Sequence, residues 1–165
     1  MTPRTRFDPA EVGPAMYPLL NALVAPRPIA WVSTRSAAGV DNLAPHSYYT
    51  VVSTAPPIVA FTSIGTKDTL RNARTTGQLV VNHVARANAE ACNVCGTDYP
   101  ADVSEFDAAG LTREPSERVL PPRVAESAAC LECEVHDVVP VGNGHLIMAE
   151  VLLAVVRADL VPTAG

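Results

Sequence analysis

The chain has 165 residues, of which 48% are hydrophobic and 18% charged, and its formal net charge is −5. This length and composition exclude a disordered chain and predict a single domain, residues 1–165, with a hydrophobic core. The negative charge gives no electrostatic basis for binding nucleic acid or an anionic membrane, so a bound anion would have to be held locally.

The sequence contains no recognisable targeting or membrane segment. Residues 1–9 carry charge, but no apolar stretch follows them. The most apolar late stretch, residues 146–156, is interrupted by Glu150 and is too short to span a bilayer as a helix. Because the four cysteines are not accompanied by a signal sequence, we expect a reduced, cytoplasmic protein.

The first half of the chain is predicted to consist of short strands separated by turns. A helical turn is expected over residues 14–24, because Pro26 and Pro28 disfavour helix beyond it. Apolar runs bounded by turn residues then predict strands at residues 29–33, 47–53 and 58–62, with residues 42–45 as a loop before the second.

A helix is predicted from Thr66 to Thr76. The Thr66 hydroxyl is a suitable N-cap, and Gly77 is suitable just past the end because glycine adopts positive φ without steric cost. The elements after it are predicted to be a strand at 78–84, a helical segment at 85–95, an irregular excursion at 96–124 and two long strands at 129–139 and 145–157. A hairpin turn at residues 142–144 joins the last two strands.

Strands dominate this order, with roughly six or seven strands and two or three short helices expected. Turn signals recur at short intervals along the whole chain. The pattern predicts a mostly β fold with some α-helix, in which a closed or partly closed antiparallel β-barrel carries short peripheral helices.

The segment from Thr62 to Thr69 is a candidate phosphate site. Free backbone N–H groups and a partial positive charge make a helix start attractive to anions, and Lys67 adds a full charge. Thr66 and Thr69 add hydroxyls. The same residues also fit an ordinary capped surface helix, and Asp68 suits the helix dipole but would repel a phosphate.

A second candidate is the segment from Asn42 to Tyr48, which combines an amide, a proline and a hydroxyl before a strand. Such a loop can present backbone N–H and C=O groups to a planar ligand. The alternative is a plain hairpin exit in which Tyr48 and Tyr49 are strand formers.

The cysteines form two C-x-x-C pairs, a pattern typical of four-thiolate zinc sites. Their separation exceeds the roughly 15–20 residues usual in compact zinc ribbons. In a strand, Cys130 and Cys133 would face opposite ways, so buried structural thiols are favoured and no metal ligand is predicted.

The histidines form no H-E-x-x-H pair, and the Rossmann, P-loop and serine-hydrolase elbow motifs are absent. His83 and His136 lie in predicted strands, where structural roles are expected. His145 opens the last strand after a turn, where it could reach a ligand or face solvent.

Taken in chain order, these features resemble the flavin reductase-like family, whose fold is the FMN-binding split barrel. The resemblance covers about residues 17–156, and the order and spacing of individually loose motifs make it specific. The matching residues are Arg27 to Thr34, Asn42 to Ser47, Pro56 to Phe61, Lys67 to Thr69 with Arg71 and Asn72, Gly77 to Asn82, Phe106 to Leu111, and Gly144 with His145.

The resemblance implies a homodimer with one FMN per protomer near the subunit interface. It implies that one set of residues lines the isoalloxazine ring and another holds the ribityl phosphate, with Ser47 and His145 near the flavin. The first set is Asn42, Leu43, Ala44, Pro45 and Ser47; the second is Thr62, Ser63, Lys67 and Thr69. Asp68 is then a capping or structural residue.

The chemistry implied is hydride transfer from NADH or NADPH to flavin, with FMN either tightly bound or exchangeable. The flavin performs the redox step, so no catalytic residue is assigned. Backbone N–H groups of the segment 42–47 could stabilise the negative charge of reduced flavin. A monooxygenase or another redox protein is the expected partner.

Two other functions stay open at this point. One is a flavoredoxin-like electron carrier, in which FMN remains bound; the other is a zinc-binding structural module built on the four cysteines. Many members of the family continue with a further segment that helps to close the barrel or the dimer, whereas this sequence stops at Gly165. The resemblance therefore leaves the far wall of the pocket and the nicotinamide site unassigned.

Overall fold

A computed structural model of the chain describes residues 2–161; the C-terminal residues 162–165 lie outside the described part. The helices are α1 Pro9–Val12, α2 Met16–Leu23, α3 Asp68–Thr76, α4 Ala89–Val94 and α5 Glu105–Ala108. The strands are β1 Ala30–Arg35, β2 Asp41–His46, β3 Tyr49–Thr54, β4 Pro57–Ile64, β5 Gln78–His83, β6 Arg113–Glu114, β7 Arg123–Val124, β8 Ala129–Val141 and β9 Gly144–Val156. Among the described helices, none is long and apolar enough to cross a membrane.

Seven strands form one antiparallel sheet in the order β2-β1-β5-β8-β9-β4-β3, and β6 pairs with β7 separately. The edge strands β2 and β3 are consecutive in the chain and are joined only by Ser47 and Tyr48. Since such a connection reaches only about 10 Å, the sheet must curl until its edges approach each other. This confirms the predicted antiparallel barrel with short peripheral helices, open along one seam.

The barrel is filled by side chains of its inward faces and closed by α3. Phe61, Leu79 and Ile147 are fully buried in this core, and α3 adds Leu70 and Ala73 to it. A second cluster around Trp31 and Phe106 lies under α4 and α5. Burial of Leu70 and Ala73 holds the start of α3 against the barrel.

The hairpin between β8 and β9 confirms the predicted turn. Gly142 has a φ of 57°, a conformation that favours glycine. A Cβ atom on Gly144 would lie 2.9 Å from the Thr62 methyl group, so glycine is also needed for close packing of β9 on β4. This packing sets the spacing of the strands that carry Ser63 and His145.

The predicted second strand over residues 47–53 is wrong in its bounds. The structure places that strand at β3, Tyr49–Thr54, and residues 42–45, predicted as a loop, belong to β2, which pairs with β1 along its whole length. Pro45 is compatible with this pairing because β2 is an edge strand.

Two helix predictions also change. The expected N-cap Thr66 is wrong: Lys67 takes the extended N-cap conformation, no side chain caps the helix, and the Arg71 side chain donates to the Thr66 carbonyl instead. The predicted helix at residues 85–95 is a 3₁₀ turn followed by α4. Gly77 ends α3 in the left-handed conformation, as expected.

Candidate functional site

A cleft of about 510 Å³ opens at the barrel seam, between the end of β2, the end of β4, the start of α3 and the segment 95–99. This volume is typical of small-molecule sites. Eight of the residues assigned from the sequence line it: Asn42, Ala44, Pro45, Ser47, Thr62, Ser63, Lys67 and Thr69. The fold thus brings the two candidate segments together around one cavity.

Leu43 and His145 are placed differently from the other assigned residues. The Leu43 side chain is fully buried in the cluster around Trp31, as strand alternation requires when Asn42 and Ala44 face the cleft. Its backbone N–H donates to a carboxylate oxygen of Glu105 at 2.8 Å. His145 does not line the cleft, although it pairs across the sheet with Ser63. Their roles toward a ligand stay predictions.

A buried polar network forms the floor of the cleft. The Asn42 amide nitrogen lies 3.1 Å from the Thr69 hydroxyl and 3.2 Å from the Thr34 hydroxyl, and the Asn72 amide also donates to Thr34. These bonds attach the first turn of α3 to β1 and β2. The Asn42 amide donor is therefore used within the protein, which leaves the side-chain oxygen as its means of contacting a ligand.

His46 belongs to the same floor. Its Nε2 lies 3.4 Å from the Thr69 hydroxyl, and its ring lies 4.8 Å from the Phe61 ring, centroid to centroid. Burial lowers the pKa of His46 to about 4; a hydrogen bond with the Thr62 backbone opposes this and the charge of Lys67 adds to it. The imidazole is therefore neutral at neutral pH, a role that the sequence did not indicate.

Two buried polar atoms near the seam have no hydrogen-bond partner among the described residues: the Ser63 hydroxyl and Nδ1 of His145. Ser63 is fully buried and lines the cleft. An unsatisfied buried hydroxyl costs about 1–3 kcal/mol, so a ligand that hydrogen-bonds to Ser63 would recover that energy. This is the clearest sign in the cleft of a missing polar partner.

Lys67 is the only lysine in the sequence, and it lies at the mouth of the cleft. Its Nζ is 2.9 Å from an Asp98 oxygen, and the two side chains are 58% and 88% exposed. Exposed ion pairs contribute only about 0–1 kcal/mol, so an incoming anion can replace Asp98 at low cost. The free N–H groups of the first turn of α3 lie beside this charge.

Several lining residues were not assigned to the site from the sequence, among them Arg71, Tyr99 and Glu105. Arg71 is held by Asp68 and by the Thr66 carbonyl, and the three-residue spacing from Asp68 to Arg71 was the available signal. Tyr99 and Glu105 come from the segment predicted to be irregular, and only the folded chain brings them to the cleft.

The four cysteines are buried free thiols distributed over three separate parts of the core. Burial raises the pKa of Cys92 and Cys130 to about 11, and of Cys95 and Cys133 to about 12. Within residues 2–161, no three His, Cys, Asp or Glu side chains are grouped so that they could hold a metal ion. The two C-x-x-C pairs therefore do not converge on the zinc site considered above.

The sequence profile of the flavin reductase-like domain matches residues 23–163. The chain belongs to the flavin reductase-like family. A protein of Aquifex aeolicus is 40% identical over 146 residues, which span 86% of this chain and 74% of that relative.

Solved structures agree with this membership. Component B of nitrilotriacetate monooxygenase from Bacillus cereus is 29% identical and superimposes with a TM-score of 0.95, over 98% of this chain and 86% of that one. A Shewanella frigidimarina protein with a split barrel domain is 22% identical, with a TM-score of 0.88 over 97% and 84% of the two chains, a likeness of fold.

The residues of this flavin reductase-like chain fit the flavin that the family implies. The orphaned Ser63 hydroxyl offers a polar contact, and Lys67 offers a cation beside a helix start. The cleft also has the size of a cofactor site. The donor set is suited to the phosphate, hydroxyl and amide groups of a flavin nucleotide.

We predict that acid weakens the fold through His46. Between pH 6.5 and about 4 the unfolded chain protonates this ring and the native protein does not, so the free energy of unfolding falls as the pH falls through this window. The contribution is at most about 1.4 kcal/mol per pH unit. The free energy of unfolding, measured by urea titration at several pH values, should depend less steeply on pH for His46→Gln than for the wild type.

The matched control is His136→Gln, which removes an exposed histidine from β8 and should keep the wild-type slope. Identical slopes for wild type and His46→Gln would mean that the His46 ring is not held neutral in the native protein.

Proposed function

We propose that this protein binds FMN in the seam cleft and catalyses hydride transfer from NADH or NADPH to the flavin. The observation that carries the proposal is the orphaned Ser63 hydroxyl, fully buried in a cleft whose mouth holds the single lysine of a flavin reductase-like chain. A bound flavin would supply the electron-accepting chemistry.

In this proposal the cleft has a phosphate end and a ring end. Lys67 and the first N–H groups of α3 bind the phosphate, replacing Asp98 in its contact with the lysine. The segment 42–47 borders the ring, where the rigid Pro45 and the backbone around Ser47 orient it. Thr69 acts mainly through the floor network, because its hydroxyl already contacts Asn42 and His46.

The chain's contribution to the reaction is orientation and exclusion of water. The neutral His46 and the amide of Asn42 fix the floor without adding a charge beneath the ring. Hydride transfer moves an electron pair directly between two bound molecules, so it needs no protein acid or base. Holding the two reactants in contact is the main source of rate.

We also propose that the reduced flavin serves a partner protein, with a monooxygenase as the leading candidate. The support is the similarity to component B of nitrilotriacetate monooxygenase, which extends over nearly the whole chain. The cytoplasmic location remains a prediction, in keeping with four free thiols.

The proposed homodimer rests on α2. None of the residues of this helix is buried, and its apolar side chains Tyr17, Leu20 and Leu23 are exposed. Tyr17 also lines the cleft, and the Tyr48 hydroxyl donates to Asn21 at 3.1 Å, so the helix is anchored beside the site. A second copy that covers α2 would bury this apolar face and border the flavin site.

The first prediction of the proposal is that purified protein binds FMN and that NADH or NADPH bleaches the bound flavin. An anaerobic titration monitored by absorbance, first with FMN and then with each nucleotide, measures both steps. FMN binding without bleaching would instead support an electron carrier. No flavin binding at micromolar concentrations would refute the proposal, and stoichiometric zinc in colourless protein would favour the structural module.

The second prediction concerns the phosphate end. Lys67→Ala should weaken FMN binding about tenfold and leave riboflavin binding unchanged. This loss is at the low end of the range for a charge-assisted hydrogen bond, because the lysine is exposed to solvent. Asp98→Asn removes the competing carboxylate and should tighten FMN by up to about fivefold. Fluorescence titration of the wild type and both variants with FMN and with riboflavin gives the six dissociation constants.

Riboflavin, which lacks the phosphate, is the internal control for both variants. If Lys67→Ala weakens FMN and riboflavin equally, Lys67 is not a phosphate ligand. Because Lys67 is the single lysine, the rate at which its side-chain amine is acylated is an independent measure of phosphate contact. Bound FMN should slow this acylation, and riboflavin should not.

The third prediction is that the protein has twice the chain mass of 17.4 kDa in light-scattering chromatography. Leu23→Asp should convert this dimer to a monomer, because the leucine on α2 is 71% exposed in one chain. Leu120→Asp, at a leucine 65% exposed elsewhere, is the matched control and should stay dimeric. A monomeric wild type, or equal effects of both variants, would contradict the dimer through α2.

A further inference from the structure

Glu105 places a buried carboxylate in the wall of the cleft. The residue begins α5, is only 7% exposed, and lines both the cleft and a neighbouring cavity of about 350 Å³. One carboxylate oxygen accepts the Leu43 N–H at 2.8 Å. Glu105 therefore lies one hydrogen bond away from the segment 42–47.

No arginine or lysine among the described residues forms an ion pair with Glu105. Arg71, the arginine of the cleft lining, is already held by Asp68. Burial raises the pKa of the Glu105 carboxyl, and the charge of Asp68 raises it further, while the Leu43 N–H opposes both. A buried carboxylate without a cation is costly and is more common at functional sites than elsewhere.

The contact with Leu43 also removes a donor from the cleft. Alternate N–H groups of an edge strand point away from its partner, and in β2 these belong to Asp41, Leu43 and position 45. Leu43 donates to Glu105, and Pro45 has no N–H. The β2 backbone therefore has little capacity to stabilise a negative charge in the cleft.

We propose that Glu105 makes the cleft bind oxidised flavin in preference to reduced flavin, so that reduction favours release of the product. This inference rests on the proposed function. Hydride leaves the nicotinamide with its electron pair, so the donor becomes positively charged and the flavin gains one negative charge. Repulsion by the Glu105 carboxylate acts on the reduced ring and hardly on the neutral oxidised ring.

The test compares dissociation constants of oxidised and reduced FMN, and the midpoint potential of bound FMN, in wild type and Glu105→Gln. The glutamine keeps the side-chain size and an oxygen for the Leu43 N–H. We expect Glu105→Gln to bind reduced FMN about tenfold more tightly relative to oxidised FMN, which raises the two-electron potential by about 30 mV. Glu90→Gln, an exposed glutamate on α4, should match wild type.

An unchanged ratio in folded Glu105→Gln that still binds FMN would overturn this inference and leave the proposed function intact. Absence of FMN binding in the wild type would overturn the proposed function itself. If Glu105→Gln does not fold, as judged by circular dichroism, the wild type decides alone: the inference requires the potential of bound FMN to lie below that of free FMN, and an equal or higher value refutes it.

Discussion

The shape of this protein depends on one short connection. Because Ser47 and Tyr48 alone join strands at opposite edges of the sheet, the sheet curls and its edges meet without forming a ladder. The cleft opens beside this connection, between the end of β2 and the end of β4. Packing of α3 into the barrel then brings a helix start to the same cleft. The candidate site thus lies where the short connection and the start of α3 come together.

Some polar groups at the seam form hydrogen bonds that stabilise the fold, and others have no hydrogen-bond partner. Asn42, Thr69 and His46 satisfy one another and bind α3 to the sheet. Ser63 has no partner among the described residues and belongs to the lining of the cleft. Thr69 and Ser63 both belong to the segment from Thr62 to Thr69, but their hydrogen bonds differ. Thr69 is bonded within the fold, whereas the Ser63 hydroxyl has no partner among the described residues.

Carboxylates outnumber cations in the lining of the cleft. The lining carries two cations, Lys67 and Arg71, and three carboxylates, Asp68, Asp98 and Glu105. Two carboxylates pair with the cations, and Glu105 stays uncompensated. In the proposed function, this arrangement attracts phosphate at one end by exchange of a weak ion pair and opposes added negative charge near the ring.

Local sequence determined the strand-rich order, the hairpin at residues 142–144, the end of α3 at Gly77 and the two segments that line the cleft, because turn residues and apolar runs act over short distances. Tertiary structure alone decided that residues 41–46 form an edge strand, that Leu43 faces the core, that His46 is neutral, and that Glu105 reaches the cleft. Each of these depends on a partner distant in the chain, and burial by such partners leaves no local trace in the sequence.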